Sequence, residues 1–242
     1  MDASWNSRTE LLIGQEGMQR VRAAHVIIVG TGGVGAAAAE MLVRAGIGHL
    51  CLIDSDVVSP SNINRQLPAL HSTVGRPKVE VLRDRLTDIN PDLDLVVRPS
   101  YLDEGSVAEM LDVWSQNPDF VVDAIDTISP KVALIQHCLS AGIPLVSSMG
   151  SGAKFDATRV RVADISRTRM CPLAHMLRKR LHKLGIREGF LAVYSEEEPR
   201  LSSIVIEESR NKKSQAGTIS YMPAVFGCVC AQAVLVRIAG IQ

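Results

Sequence analysis

The chain predicts an α/β fold: a doubly wound, mainly parallel Rossmann-like sheet with an additional C-terminal α+β portion. Three observations predict it. The apolar, β-branched run His25-Val26-Ile27-Ile28-Val29 leads through the glycine turn Gly30-Thr31-Gly32-Gly33-Val34-Gly35 into an alanine-rich helix former that Gly46 stops. An acid, Asp54, closes the next apolar run about twenty residues later. From there to Ser148, strand-like and helix-like segments alternate, as they do in a parallel sheet wrapped on both faces.

Each element has its own reason. At the amino end, Arg8 to Gly14 precedes a short amphipathic stretch, Met18 to Val21. In the glycine turn the backbone must bend sharply and offer bare N–H groups to an anion at the positive end of a helix. His49 to Asp54 reads as the second strand. Lys78 to Ile89 reads as a helix with Val79, Leu82, Leu86 and Ile89 on one face, stopped by Asn90-Pro91. Leu93 to Val97 is a third strand, Val107 to Trp114 a helix and Phe120 to Ala124 a fourth strand. Pro130 is expected to begin a helix ending near Gly142, and Pro144 to Ser148 is a fifth strand. Residues 1–165 are thus expected to form a nucleotide-binding core, with 166–242 an extension packed on the same domain.

Beyond that alternation the pattern loosens. Met149 to Ala153 reads as a flexible glycine-rich turn, and Arg159 to Asp164 as a strand with one wet face. Leu173 to Leu184 is a basic helix, and Glu196-Glu197-Glu198 an acidic loop. Pro223 to Gly240 is nearly all apolar and about long enough to span a bilayer. Gln232, Gly227 and Arg237 favour a buried helix instead, with a subunit interface as one place to bury it.

Composition bounds the function. Of 242 residues 46% are hydrophobic, enough for a substantial core. The formal net charge is zero, so any RNA site must be a local patch. Arg178, Lys179, Arg180, His182 and Lys183 form one basic cluster, and Arg210, Lys212 and Lys213 a second. A solvated face explains such runs as readily as phosphate docking. Five cysteines without framework spacing suit a reducing cytoplasm, and Met1 to Arg8 lacks the apolar core of a signal peptide. No Cys-x-x-Cys pair occurs, so no zinc site is expected. Cys228 and Cys230 read as small buried hydrophobes, and Cys171 as the only thiol in an exposed loop.

Gly30, Gly32 and Gly35 alone would equally fit an NAD- or FAD-binding domain. The residues after the acid favour a triphosphate. Asp54-Ser55-Asp56 leads to Asn62-Ile63-Asn64-Arg65-Gln66 and then Gly75-Arg76-Pro77-Lys78. Arg and Lys neutralise phosphate oxygens and stabilise charge on a departing pyrophosphate. Asp123-Ala124-Ile125-Asp126 falls at a strand's carboxyl end, where open α/β sheets bind ligands.

Those residues resemble the E1-like (ThiF/MoeB/HesA) adenylate-forming superfamily. Within it, Arg8-Thr9-Glu10-Leu11, Asn62 to Leu67, Asp123 to Asp126, Pro144 to Gly150, Ala163 to Ser166 and Tyr221 to Gly227 resemble the tRNA threonylcarbamoyladenosine dehydratase family. The resemblance implies ATP-dependent dehydration of threonylcarbamoyladenosine at tRNA position 37, through a carboxyl-adenylate, to a cyclic form. It implies that backbone N–H groups of Gly30, Gly32, Gly33 and Gly35 hold phosphate. Asp54 would hold ribose with Asp56 beside it, and Asn62, Arg65 and Lys78 would orient the triphosphate. Asp126 would support magnesium, and Arg8 would reach the phosphates of a second subunit. The catalytic set so implied is Arg65, Lys78, Asp126 and Arg8. The implied cofactors are ATP and Mg2+, with room for a structural Na+ or K+. The implied partners are the modified tRNA, a second copy in a homodimer, and a sulfur-relay or sulfur-acceptor protein, in the cytoplasm and without an integral membrane segment. Thr127 and Lys131 stand where the superfamily often has Asn and Arg, and Ser214 to Gly217 stands where some members carry a cysteine. An adenylyltransferase for the terminal glycine of a ubiquitin-like sulfur carrier remains the alternative.

Overall fold

The computed structural model describes residues 4–205 and 215–241. Arg210, Lys212, Lys213 and Ser214 lie outside them. The first helix, α1 (Ser7–Ala23), is longer than the stretch read from the sequence and is broken at Gly14, whose φ of 73° is left-handed. Five apolar strand residues then form β1 (His25–Val29), and the glycine turn delivers the chain into α2 (Gly33–Ala45). The alternation continues through β2 (His49–Ile53), α3 (Lys78–Ile89), β3 (Asp94–Arg98), α4 (Val107–Leu111) and β4 (Phe120–Asp123). Next come α5 (Ile128–Ser140), β5 (Leu145–Ser148), β6 (Val160–Asp164), α6 (Pro172–Lys183) and β7 (Leu191–Ser195). A two-residue pair, β8 (Ile204–Val205) with β9 (Gln215–Ala216), precedes the last helix, α7 (Tyr221–Ala239).

The main sheet has strand order β3-β2-β1-β4-β5-β7-β6 and is parallel except for β6. From β1 the chain builds outward through β2 and β3, then returns to lay β4 on the other side of β1. The carboxyl ends of β1 and β4 therefore border the crevice where such sheets take their ligands. Side chains alternate across the strands and feed two cores. On one face Val26, Ile28, Leu50 and Leu52 meet Leu42, Leu82, Phe226 and Val234. On the other, Ile27, Cys51, Ile53 and Val121 meet Leu134, Cys138 and Leu177.

Several details correct the sequence reading. β7 has no counterpart in it, although β7 joins β5 to the edge strand β6. α4 stops at Leu111 rather than Trp114, and α5 begins two residues before Pro130. β6 does not alternate cleanly, because Arg161 and Val162 are both exposed on the last strand of the sheet. Cys171 is 4% exposed under the start of α6, and the exposed thiol is Cys228. The turn after β5 is pinned: the Ala153 N–H donates to Gly217 O and the Arg200 N–H to Ala153 O.

The apolar α7 is long and hydrophobic enough to cross a membrane by length and composition. Here one side of it lies on α2. A Cβ at Gly227 would sit 2.4 Å from Val34 O and 2.7 Å from the Ala37 Cβ, so only glycine permits this crossing. Met222, Phe226, Cys230 and Val234 complete the buried side.

Candidate functional site

The site begins with backbone. Gly30 adopts φ 89°, and a Cβ there would lie 2.7 Å from Ala124 O, so the β1 and β4 exits are pressed together. A Cβ at Gly35 would fall 1.8 Å from Gly30 O, which closes the turn on itself. Gly33 is covered by Pro223 at the start of α7 and by Arg65 O, 3.0 Å from where its Cβ would be. Gly32, the residue preceding α2, has among the described residues only the Gln66 amide nearby, 3.6 Å from such a Cβ. The turn thus keeps its open side at the positive end of a thirteen-residue helix, the place where a phosphate binds.

A hydrogen-bond chain ties the acids to this turn. Thr31 donates its N–H (2.6 Å) and its hydroxyl (2.9 Å) to Asp54 Oδ2. The other Asp54 oxygen accepts the Asp56 N–H at 2.8 Å. Asp56 Oδ2 in turn accepts Lys78 Nζ at 2.7 Å, while the Lys78 N–H donates to Asp56 O at 3.0 Å. Lys78 is itself buried at the first position of α3 and Asp56 is exposed, so the pair sets a buried cation behind an accessible carboxylate.

Asn62 organises the next wall. Its Oδ1 accepts the Ser59 N–H at 3.1 Å, and its carbonyl accepts the N–H groups of Arg65 and Gln66, both at 3.0 Å. The Arg65 guanidinium donates to Ser61 O (2.8 Å) and Asn64 Oδ1 (2.7 Å). Asn64 Nδ2 reaches Thr218 O at 3.0 Å, which joins this wall to the segment ahead of α7.

Asp123 and Asp126 have different surroundings. Asp123 is fully buried: its Oδ2 accepts Lys131 Nζ (2.7 Å) and the Ser147 hydroxyl (2.6 Å), and its Oδ1 accepts the Ile125 N–H (3.1 Å). Lys131 Nζ also donates to Ser148 O at 3.0 Å. This cluster shapes the loop that carries Asp126, which is exposed at the carboxyl edge of the sheet. Burial, with Asp123 nearby, pushes the neighbouring Cys138 thiol up to about 12, so it stays protonated. Past β5, Lys154 is buried with Nζ on Gly150 O at 3.1 Å, and burial pushes its ammonium down.

The segments bearing Gly30–Gly35, Asp54, Asp56, Asn62, Arg65, Lys78 and Asp126 therefore meet at one edge of the sheet. Arg8 is exposed on α1, and Asn6 just ahead of that helix abuts Gly46 at the end of α2 opposite the glycine turn. Sequence reasoning passed over Gln66. Its Oε1 is buried and has no hydrogen-bond partner among the described residues, although its amide abuts Gly32. An orphaned acceptor beside a phosphate-binding turn fits a ligand that brings a donor such as a ribose hydroxyl or adenine amine. Only its place in the run 62–66 hinted at it. Among the described residues no three metal-ligating side chains gather, whereas one carboxylate beside phosphates suffices for a nucleotide-borne Mg2+.

This fold and edge define an ATP-dependent enzyme built on a Rossmann-like sheet of the E1-like type. The ThiF family model matches residues 6–242, and the chain belongs to the ThiF family. It is 40% identical to the tRNA threonylcarbamoyladenosine dehydratase of Bacillus subtilis, over 92% of this chain and 90% of that protein. Among solved structures, the Escherichia coli tRNA N6-threonylcarbamoyladenosine dehydratase in complex with ATP superposes with a TM-score of 0.88 and 35% identity, covering 97% of this chain and 93% of that one. The AMP complex of the same enzyme gives 0.87 and 34% over the same shares.

Proposed function

We propose that this protein modifies tRNA at the expense of ATP, converting N6-threonylcarbamoyladenosine at position 37 to its cyclic form. The observation that carries the reading is the buried Lys78 ammonium, tied through Asp56 and Asp54 to the glycine turn. A redox cofactor's diphosphate needs no such cation, whereas a triphosphate that loses pyrophosphate does. Similarity over nearly the full length to dehydratases, one of them solved with ATP and with AMP, supports the same reading.

The chemistry follows from these groups. The substrate's carboxylate attacks the α-phosphate of ATP, giving an acyl-adenylate and pyrophosphate. The carbamoyl group of the same nucleoside then attacks the acyl carbon and expels AMP, for a net loss of water. Ring closure within one molecule has a high effective concentration, so no enzyme nucleophile is needed. N–H groups at Gly32 and Gly33 face the phosphates, Asp54 and Gln66 the nucleoside, and Asn62 braces Arg65. Lys78 exchanges Asp56 for a phosphate oxygen, and Arg65 screens the departing pyrophosphate. Mg2+, held by Asp126 and phosphate oxygens, would supply charge neutralisation.

Arg8 acts on the phosphates of a second copy in a homodimer. Its helix supports this, since Leu11 and Leu12 beside it are 85% and 84% exposed and a partner would cover them. Pyrophosphate release distinguishes the chemistry from carrier-protein adenylation. It is expected with tRNA bearing threonylcarbamoyladenosine and absent with a carrier ending in Gly-Gly; the reverse pattern would overturn the reading. Lys78→Ala is expected to abolish release, and retained turnover would remove Lys78 from the mechanism.

A further inference from the structure

The molecule is neutral overall, yet its charge is not evenly spread. Between Arg167 and Arg187 the sequence holds seven Lys and Arg residues and no Asp or Glu. Two of the seven are occupied: Arg178 donates to Thr168 O, and Arg169 pairs with Glu196. The side chains of Arg167, Lys179, Arg180, Lys183 and Arg187 are exposed and form no ion pair or hydrogen bond among the described residues. Ala174, Leu177 and Leu181 hold the opposite side of α6 in the core, so Lys179, Arg180 and Lys183 face solvent together, flanked by His175 and His182. Glu188, exposed, is the acid that follows. Cations in the last turn complement the helix dipole, but that effect fades within a turn and does not extend to Arg167 or Arg187.

The helix also has a direction. Its start abuts the site edge, since a Cβ on Gly150, just past β5, would lie 3.8 Å from the Leu173 Cβ. At about 1.5 Å per residue, Lys183 lies ~15 Å further along the axis. A stem continuing from a nucleotide bound at the edge carries two strands of phosphate, which a cationic face such as this one can hold and orient.

We propose that the solvent face of α6, through Lys179, Arg180 and Lys183 with Arg167 and Arg187 alongside, docks the phosphate backbone of the tRNA stem flanking the modified nucleotide. The inference rests on the tRNA reading above and adds the face that holds the RNA. Such contacts carry no base specificity and depend strongly on salt.

The test measures binding of an unmodified tRNA transcript to the full chain across a salt series. The triple variant K179A/R180A/K183A is expected to bind at least tenfold more weakly at about 0.1 M salt, with the log–log salt slope reduced by about 2 to 3. Its melting temperature and ATP binding should match the unsubstituted chain. Arg180→Lys, which keeps the charge, should bind like the original, and Lys183→Glu alone should weaken binding several-fold. Unchanged affinity and slope in the triple variant overturn the proposal. So does a loss confined to anionic phosphatidylserine vesicles while tRNA binding stays intact. Normal α6-dependent tRNA binding without ATP-dependent water loss would overturn the proposed chemistry and leave the docking face standing.

Discussion

Lys131 and Asp123, both with fully buried side chains, show what single residues contribute here. Among the described residues each charge is satisfied only by the other and by Ser147, Ser148 O and the Ile125 N–H. Removing one partner leaves the other charge buried and alone, at a cost of about 3–5 kcal/mol. Lys131→Ala is therefore expected to lower stability by that amount in urea unfolding; an unchanged midpoint would show that Asp123 finds another partner. Glu40 offers a gentler case. Its buried carboxylate takes Arg85 at 2.7 Å and Arg44 at 2.9 Å, and the Arg85 guanidinium above all, with Arg44, holds it below its ordinary 4.5 despite burial. A carboxyl depressed in the folded state contributes stability above its unfolded pKa and loses it as the pH falls through the folded value. Glu40→Gln should thus destabilise by about 1–2 kcal/mol at neutral pH. The difference should shrink below pH ~4.5. A pH-independent difference in melting temperature would contradict that account.

Among elements, α7 shows most plainly what sequence does and does not disclose. Its apolar run and the glycine within it are local facts, but that Gly227 lies against Val34 and Ala37 is a fact of packing. Gly227→Ala should push α7 off α2 and cost about 1–3 kcal/mol, read as a lower thermal midpoint. Unchanged stability would mean that the helices separate freely. The glycine turn, β1, α2 and Asp54 were legible because strand, turn and helix signals are contiguous there. β7 was not, because Leu191 to Ser195 becomes a strand by pairing with distant β5 and β6. Cys171 looked like a loop thiol because the docking of α6 that buries it is written nowhere near it. Gln66 stood within a motif already noted, yet its partnerless oxygen beside Gly32 exists only once both segments are folded.

At the scale of the whole molecule, the chain after residue 165 supplies β7 to the main sheet and α7 to the core under β1. We read the two parts as one cooperative unit, so a chain ending at residue 165 is expected to show no cooperative melt. A sharp transition in that fragment would make the first part a domain in its own right. The function we propose uses both parts: the first offers the phosphate turn, Arg65, Lys78 and Asp126, and the second closes over Gly33 and carries α6. Its central claim is that ATP is consumed to activate a carboxylate on tRNA. Mass spectrometry of nucleosides from tRNA incubated with this protein, Mg2+ and ATP tests that claim directly. Linear threonylcarbamoyladenosine should give way to a species lighter by one water, with one AMP and one pyrophosphate per conversion, and none of this should occur without ATP. ATP hydrolysis that leaves the nucleoside unchanged, or water loss without ATP, would contradict the account.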